Sequence, residues 1–211
     1  HWCGEQRKGE RIPEIAAGLR ALGRRVYIIP YGGSDAVGAM GFVAAVRELK
    51  QQLASRNEKI DTVIIPSSSG GTHAGLTVGL DVFDFPVQVI GIGIDKGVSG
   101  GISYESELAV LANRIAGTLG LQANYDADRF RMRYEYLGAG YGVVGDLERE
   151  AIRLLARCEG ILADPVYTGR ALGGMIDMIR GKEFAPGDTV LFWHTGGVPA
   201  LFEYAGELHA G

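Results

Sequence analysis

Short runs of β-branched and other apolar residues alternate along the chain with longer segments of helical period. This is the pattern of a parallel sheet whose strands are joined by crossover helices. The runs predict strands over residues 25–29, 62–65, 87–92, 131–136 and 189–193. Apolar positions recurring at helical spacing predict helices over 12–22, 36–55, 72–80, 104–119, 147–156 and 169–180. Val63-Ile64-Ile65 and Val190-Leu191-Phe192 show no polar alternation, as strands do when helices cover both faces of a sheet. The fold class read from this pattern is α/β, an open, mostly parallel sheet with helices on both faces. In such folds ligands bind beyond the carboxyl ends of strands, so the loops that follow strands hold the candidate chemistry.

Composition narrows the picture. With 211 residues, 46% hydrophobic and 22% charged, the chain can bury a sizeable core, and intrinsic disorder is excluded. No apolar run reaches the roughly 18 residues of a membrane helix, and no charged-then-apolar leader opens the sequence. A net charge of −4 without a block of Lys or Arg argues against nucleic acid or an anionic membrane as a partner. The expectation is a cytoplasmic protein acting on a small molecule. Cys3 and Cys158 have neither CxxC nor His spacing, so no metal site is expected; Cys158, in an amphipathic stretch, is expected to be a buried structural thiol. Glycine is abundant, 33 of 211 residues against a usual share of about 7%.

The strongest local signal is Ser67-Ser68-Ser69-Gly70-Gly71-Thr72-His73, directly after a predicted strand and opening a helix. Hydroxyls, glycine amides and a helix N-terminus together suit an anion. A nucleotide P-loop needs Gly-Lys-Ser/Thr, and no Lys or Arg lies between Ser67 and Leu80, so a single cofactor phosphate fits better than a triphosphate. A plain flexible loop is the bland reading, and His73 reads equally as a helix-surface residue or a catalytic one. Gly140-Tyr141-Gly142-Val143-Val144-Gly145 matches GxGxxG formally, with Asp164 at the distance of a ribose-binding acid. Asp164 precedes a proline in a loop-like stretch, however, which weakens a dinucleotide reading. Asp164-Pro165-Val166-Tyr167-Thr168 leads into a helix, and His194-Thr195-Gly196-Gly197 follows a predicted strand; each is either a capping turn or part of a cleft. The glycine turn at residues 31–35 reads as a hinge or domain boundary.

Four segments, YGGSDAVGAMGFVAAVREL, SSSGGTHAGLTVGL, EGILADPVYTGRALGGMIDMIR and VLFWHTGGVPALFEY, in this order and spacing, resemble the pyridoxal-phosphate-dependent family of D-cysteine desulfhydrase and 1-aminocyclopropane-1-carboxylate deaminase. The resemblance implies the tryptophan-synthase-β type of architecture (fold type II), with residues 1–35 belonging to a small domain and 36–211 to a large cofactor-binding domain. It implies pyridoxal 5'-phosphate held by Ser67, Ser68, Ser69, Gly70, Gly71 and Thr72, with Thr168, Thr195 and Gly196 near the ring. Tyr141 and Tyr167 would bracket the substrate, so the glycines around Tyr141 would serve placement and not a nucleotide. Ring-opening deaminases carry Glu where this chain has Thr168, and a neutral hydroxyl leaves the cofactor a weaker electron sink, which favours β-elimination. The implied activity is α,β-elimination on a small amino acid, D-cysteine to pyruvate, ammonia and hydrogen sulfide, with the deaminase as the alternative.

In that family the Schiff-base lysine lies well upstream of the YGGS motif. The five lysines here, Lys8, Lys50, Lys59, Lys96 and Lys182, all lack its context. Lys50 and Lys59 are expected to be solvated, and Lys96 to sit at the surface. By resemblance the chain lacks about the first third of a family member and is expected to be inactive alone. It would be a fragment, one half of a split enzyme with a partner segment, or a non-catalytic phosphate-binding module. Family members usually form homo-oligomers.

Overall fold

The computed structural model describes residues 9, 11–95, 97–99 and 101–209; Cys3, Lys8 and Lys96 lie outside the described residues. Chain order runs α1 (Ile12–Ala21), α2 (Ala36–Arg56), β1 (Thr62–Ser67), α3 (Gly71–Val82), β2 (Gln88–Gly93), the short hairpin β3 (Val98–Ser99) and β4 (Ile102–Ser103), then α4 (Tyr104–Thr118) and β5 (Arg131–Arg133). It continues through α5 (Asp146–Glu159), α6 (Thr168–Arg180), β6 (Val190–Phe192), α7 (Ala200–Glu203) and α8 (Ala205–His209).

The main sheet is four-stranded and parallel, in the order β5-β2-β1-β6. Strand β1 is buried along its whole length, and its alternate residues face opposite layers. Val63 and Ile65 pack with Val46, Leu53 and Leu76 of α2 and α3, while Ile64 packs with Ala171 and Met178 of α6. Ile64, Ile65 and Ile92 are fully buried, each stabilising the fold by about 1.5–3 kcal/mol. The open parallel sheet with helices on both faces is as the alternation of patterns predicts.

Helix α2 begins where Asp35 Oδ1 accepts the Gly38 N–H at 2.7 Å, an N-cap, and ends at Asn57 in the left-handed conformation. It lies close on α3 because α3 presents glycines to it. A Cβ at Gly75 would sit 2.6 Å from the Ala39 carbonyl oxygen, and one at Gly79 would sit 2.8 Å from Val46 Cγ2. Part of the glycine excess therefore serves helix packing and not loops.

Three expectations change. Residues 25–29 form no strand: the run is apolar, but it finds no ladder partner among the described residues, and Tyr27 and Ile29 are exposed. Cys158 is exposed. The buried face of α5 runs through Glu148, Ala151 and Ile152, and its last turn extends beyond what it packs against. Lys50 is not left to solvent alone; its ammonium donates to the carbonyls of Phe83 and Asp84, at 2.5 and 3.0 Å, closing the C-terminal end of α3. No described helix is long and apolar enough to cross a membrane, and no cluster of metal-ligating side chains occurs among the described residues.

Candidate functional site

From β1 the chain proceeds outward through β2 to β5, whereas β6 pairs on the opposite side of β1. The order reverses between β1 and β6, and the crevice at such a switch point is where open α/β sheets take their ligands. The two loops that leave these strands are the serine loop after Ser67 and the turn around Thr195. They line one cavity of about 100 Å³ with Pro66, Ser67, Ser68, Ser69, Gly70, Thr72, His73 and Tyr167. No charged side chain is among these residues.

The loop is shaped by Gly70, whose φ of +93° lies in the left-handed region and whose Cα faces Leu108; a Cβ there would stand 2.9 Å from Leu108 Cδ2. Beneath the cavity, Ser67 Oγ shares hydrogen bonds with His73 Nδ1 (3.2 Å) and the Tyr104 hydroxyl (3.0 Å). His73 is buried, not on a helix surface, and meets the Phe130 ring edge-on. Burial pushes its imidazole down to about 3, so it is neutral at ordinary pH, and burial raises the Tyr104 phenol. Ser68 Oγ and His73 Nε2 are buried without a hydrogen-bond partner among the described residues. Orphaned polar atoms of this kind beside a cavity call for a partner from outside the chain.

Across the cavity, the Asp164 carboxylate organises the entry to α6. Its Oδ2 accepts from the amides of Val166 and Tyr167 at 2.8 and 2.9 Å, and its Oδ1 accepts from the Thr168 amide and hydroxyl, both at 2.7 Å. Thr168 Oγ1 in turn accepts from the Asp164 amide at 2.7 Å, so this buried hydroxyl is used within the turn and does not line the cavity. Asp164 is thus a buried cap and has no geometry for a ribose. Tyr167 is carried toward the cavity and shares a 2.6 Å hydrogen bond with the Tyr141 hydroxyl, the two rings meeting edge to face. Burial first, then Tyr141 and Tyr31, raise the Tyr167 phenol, so it stays protonated at neutral pH.

The Tyr141 loop is held from inside by Arg170, fully buried and paired with the buried Glu148 at 2.7 Å. Arg170 Nη2 donates to the carbonyls of Gly140 and Val143, which flank Tyr141 closely, and Nη1 donates to the Ile94 carbonyl. On the Thr195 side, His194 Nδ1 accepts from the Gly196 amide, which leaves Nε2 to donate to the Leu162 carbonyl at 2.8 Å. Gly196 therefore shapes the turn and is not among the residues lining the cavity. Of the expected residues, Ser67 to Gly70, Thr72, Tyr167 and Thr195 line the cavity and Tyr141 meets Tyr167, whereas Gly71, Thr168 and Gly196 stand behind them, the Gly71 amide being taken by Ser34. Sequence reasoning missed Ser34, Tyr31, Glu148 and Arg170. None of the four carries a local signal, since each meets its partner only through the fold.

A hydroxyl-lined cavity thus lies at the switch point of a parallel α/β sheet, with Tyr167 on its wall and Tyr141 bonded to Tyr167. The sequence profile of the pyridoxal-phosphate dependent enzymes matches residues 4–196, and the chain belongs to that family. It is 42% identical over 194 residues to a D-cysteine desulfhydrase of Salmonella newport (strain SL254), covering 92% of this chain and 57% of that protein. The chain thus spans little more than half the length of that relative. Its fold matches the crystal structure of an ACC deaminase homologue with a TM-score of 0.82 at 32% identity, over 98% of this chain and 61% of the other. A fungal L-serine ammonia-lyase from Rhizomucor miehei shares the fold, with a TM-score of 0.55 at 21% identity over 91% of this chain and 63% of that one.

Proposed function

We propose that this chain forms the cofactor-phosphate and substrate-facing part of a pyridoxal-phosphate-dependent lyase that performs α,β-elimination on a small amino acid, D-cysteine to pyruvate, ammonia and hydrogen sulfide. The observation that carries the reading is the meeting of the serine loop, Thr195 and Tyr167 at one cavity, with Tyr141 hydrogen-bonded to Tyr167. The residues fit the cofactor's phosphate: the buried Ser68 hydroxyl lacks a partner among the described residues, and Ser69 and Thr72 add hydroxyls around the same space. When bound, the cofactor supplies the electron sink that makes loss of the Cα proton feasible.

The chain's own residues do the rest. Ser68, Ser69 and Thr72 with the Gly70 amide would hold the phosphate by hydrogen bonds and not by a counter-charge, Thr195 would lie beside the cofactor, and Tyr141 and Tyr167 would face the substrate. Burial keeps the Tyr167 hydroxyl protonated, together with its hydrogen bonds to Tyr141 and Tyr31. A phenol held protonated by its surroundings donates to the departing sulfur or the substrate carboxylate and does not act as the base. The identity to D-cysteine desulfhydrases supports the eliminated thiol, and the likeness to an ACC deaminase homologue keeps ring opening as the alternative. Exposed apolar side chains at Leu22, Tyr27, Ile29 and Val37 support a further segment or subunit packing there.

The test is binding followed by turnover. Pyridoxal 5'-phosphate should bind at least about tenfold more tightly than pyridoxal, the worth of one hydrogen bond to a charged group; equal affinities would overturn the cradle. Borohydride fixation with mass mapping then identifies any amine that engages the cofactor, and an adduct on one of the five lysines overturns the expectation that this chain lacks the Schiff-base residue. In the whole protein, sulfide and pyruvate from D-cysteine support elimination, whereas 2-oxobutyrate from 1-aminocyclopropane-1-carboxylate would install the alternative.

A further inference from the structure

We propose that Ser34 is a positioning residue of the phosphate cradle: it takes up the first amide of α3 and turns the Ser69 hydroxyl hydrogen into the cavity, toward the cofactor phosphate. The inference rests on the reading of the serine loop as a phosphate site. Ser34 stands 35 residues before Ser69 in the chain, yet its Oγ donates to Ser69 Oγ at 2.8 Å and accepts from the Gly71 N–H at 3.0 Å. A serine hydroxyl has one hydrogen, and Ser34 spends it on Ser69. With its oxygen already accepting, Ser69 keeps its own hydrogen for another partner, and Ser69 lines the cavity.

The result is a relay from the Gly71 amide through Ser34 and Ser69 to a bound anion, in which each bond polarises the next. The Gly71 amide then acts on the anion through two hydroxyls and not by direct contact. This alters the simple picture of a helix N-terminus whose first amide faces its ligand.

The backbone is built to bring these groups together. A Cβ on Gly32 would fall 2.2 Å from Ser69 Oγ and 2.5 Å from Ser69 Cβ, and a Cβ on Gly71 would fall 2.8 Å from Ser34 Oγ, so both surfaces are glycine where they touch. Behind Ser34, Asp35 caps α2 through the Gly38 amide and accepts the Tyr27 hydroxyl at 2.7 Å, which fixes the turn that carries Ser34. A serine that merely capped a helix would need none of this fit to Ser69.

Pyridoxine 5'-phosphate and pyridoxine lack the aldehyde and cannot react with lysines, so their affinities for the full chain, measured by equilibrium dialysis, isolate the contribution of the phosphate. Wild type is expected to prefer the phosphate form. Ser34→Ala should lower affinity for the phosphate form about 5- to 10-fold while leaving pyridoxine binding unchanged. Ser34→Ala combined with Ser69→Ala should lose no more than Ser69→Ala alone, because Ser34 acts through Ser69. An undiminished preference in Ser34→Ala overturns the proposal, as do equal losses for both ligands, which mean general loosening, and losses that add in the double variant. A wild type without any preference overturns the cradle reading itself, and this inference with it.

Discussion

Replacing Glu148 perturbs the interior ion pair that carries the Tyr141 loop, and the cost follows from how that pair is connected. Glu148 Oε1 accepts from Arg170 Nε at 2.7 Å and Oε2 from the Gly145 amide at 2.8 Å, while the guanidinium also serves the carbonyls of Ile94, Gly140 and Val143. In Glu148→Ala a buried guanidinium loses its counter-charge, which costs about 3–5 kcal/mol, a large share of the roughly 5–15 kcal/mol that holds a domain together. Glu148→Gln keeps the shape but turns an NH2 toward one of two donors, and is expected to cost about 2–3 kcal/mol. The informative variant is the double replacement Glu148→Leu with Arg170→Met. For an isolated buried pair it would be nearly neutral. Here three carbonyls lose their donors and the Gly145 amide loses its acceptor, at about 1 kcal/mol each, so the double variant should remain about 4 kcal/mol below wild type. Urea denaturation followed by circular dichroism gives the values. A double variant as stable as wild type refutes the argument that Arg170 is held for the carbonyls, and a Glu148→Ala within about 0.5 kcal/mol of wild type refutes the burial argument altogether.

His73, held neutral by burial with a value near 3, binds fewer protons folded than unfolded between that value and about 6.5. Its contribution is therefore fully present above about pH 6.5 and declines as the pH falls toward 3, by up to about 1.4 kcal/mol per pH unit. Urea midpoints of wild type should drop more steeply on acidification than those of His73→Gln; parallel curves count against it. Asp164→Asn places an NH2 against amides that now find a carboxylate, and should cost about 1–3 kcal/mol with faster hydrogen exchange at Tyr167 and Thr168; unchanged exchange would dismiss the cap. Gly75→Ala drives a methyl against the Ala39 carbonyl and should destabilise by about 1–3 kcal/mol. Gly41→Ala, with open space around it, should stabilise by about 0.5–1 kcal/mol, and the opposite pair of signs would sink the packing account.

What was legible in the sequence depended on local signals. Helix α2 runs Ala36–Arg56 against a prediction of 36–55, because Asp35 at its start and Asn57 past its end are signals a sequence shows directly. The strands β1 and β2 were legible because burial on both faces writes an unbroken apolar run, and β6, an edge strand and half-buried, carries a similar run because its residues pack against the cores on both sides of the sheet. The same rule misread residues 25–29, since propensity does not supply a neighbour to pair with. The serine loop was readable from its residue types, whereas its coupling to Ser34 was not, because contact across 35 residues leaves no local trace. Likewise the Glu148–Arg170 pair joins two helices, and Arg170 in isolation reads as a surface cation. The spacing of Gly71, Gly75 and Gly79 on one side of α3 was the overlooked signal: such a stripe foretells a closely packed second helix.

The pairing of β6 with β1 also has a kinetic side. The Thr189 amide donates to Asp61 Oδ2 across 128 residues of chain, and closing a loop of that length costs about 4 kcal/mol of chain entropy beyond the shortest loops. Contacts of such separation slow folding. The β1–β2 unit that presents the serine loop closes over a far shorter span. Synthesis from the N-terminal end completes that loop long before β6 exists, so one wall of the cavity waits for the other until the most distant strand of the sheet has docked.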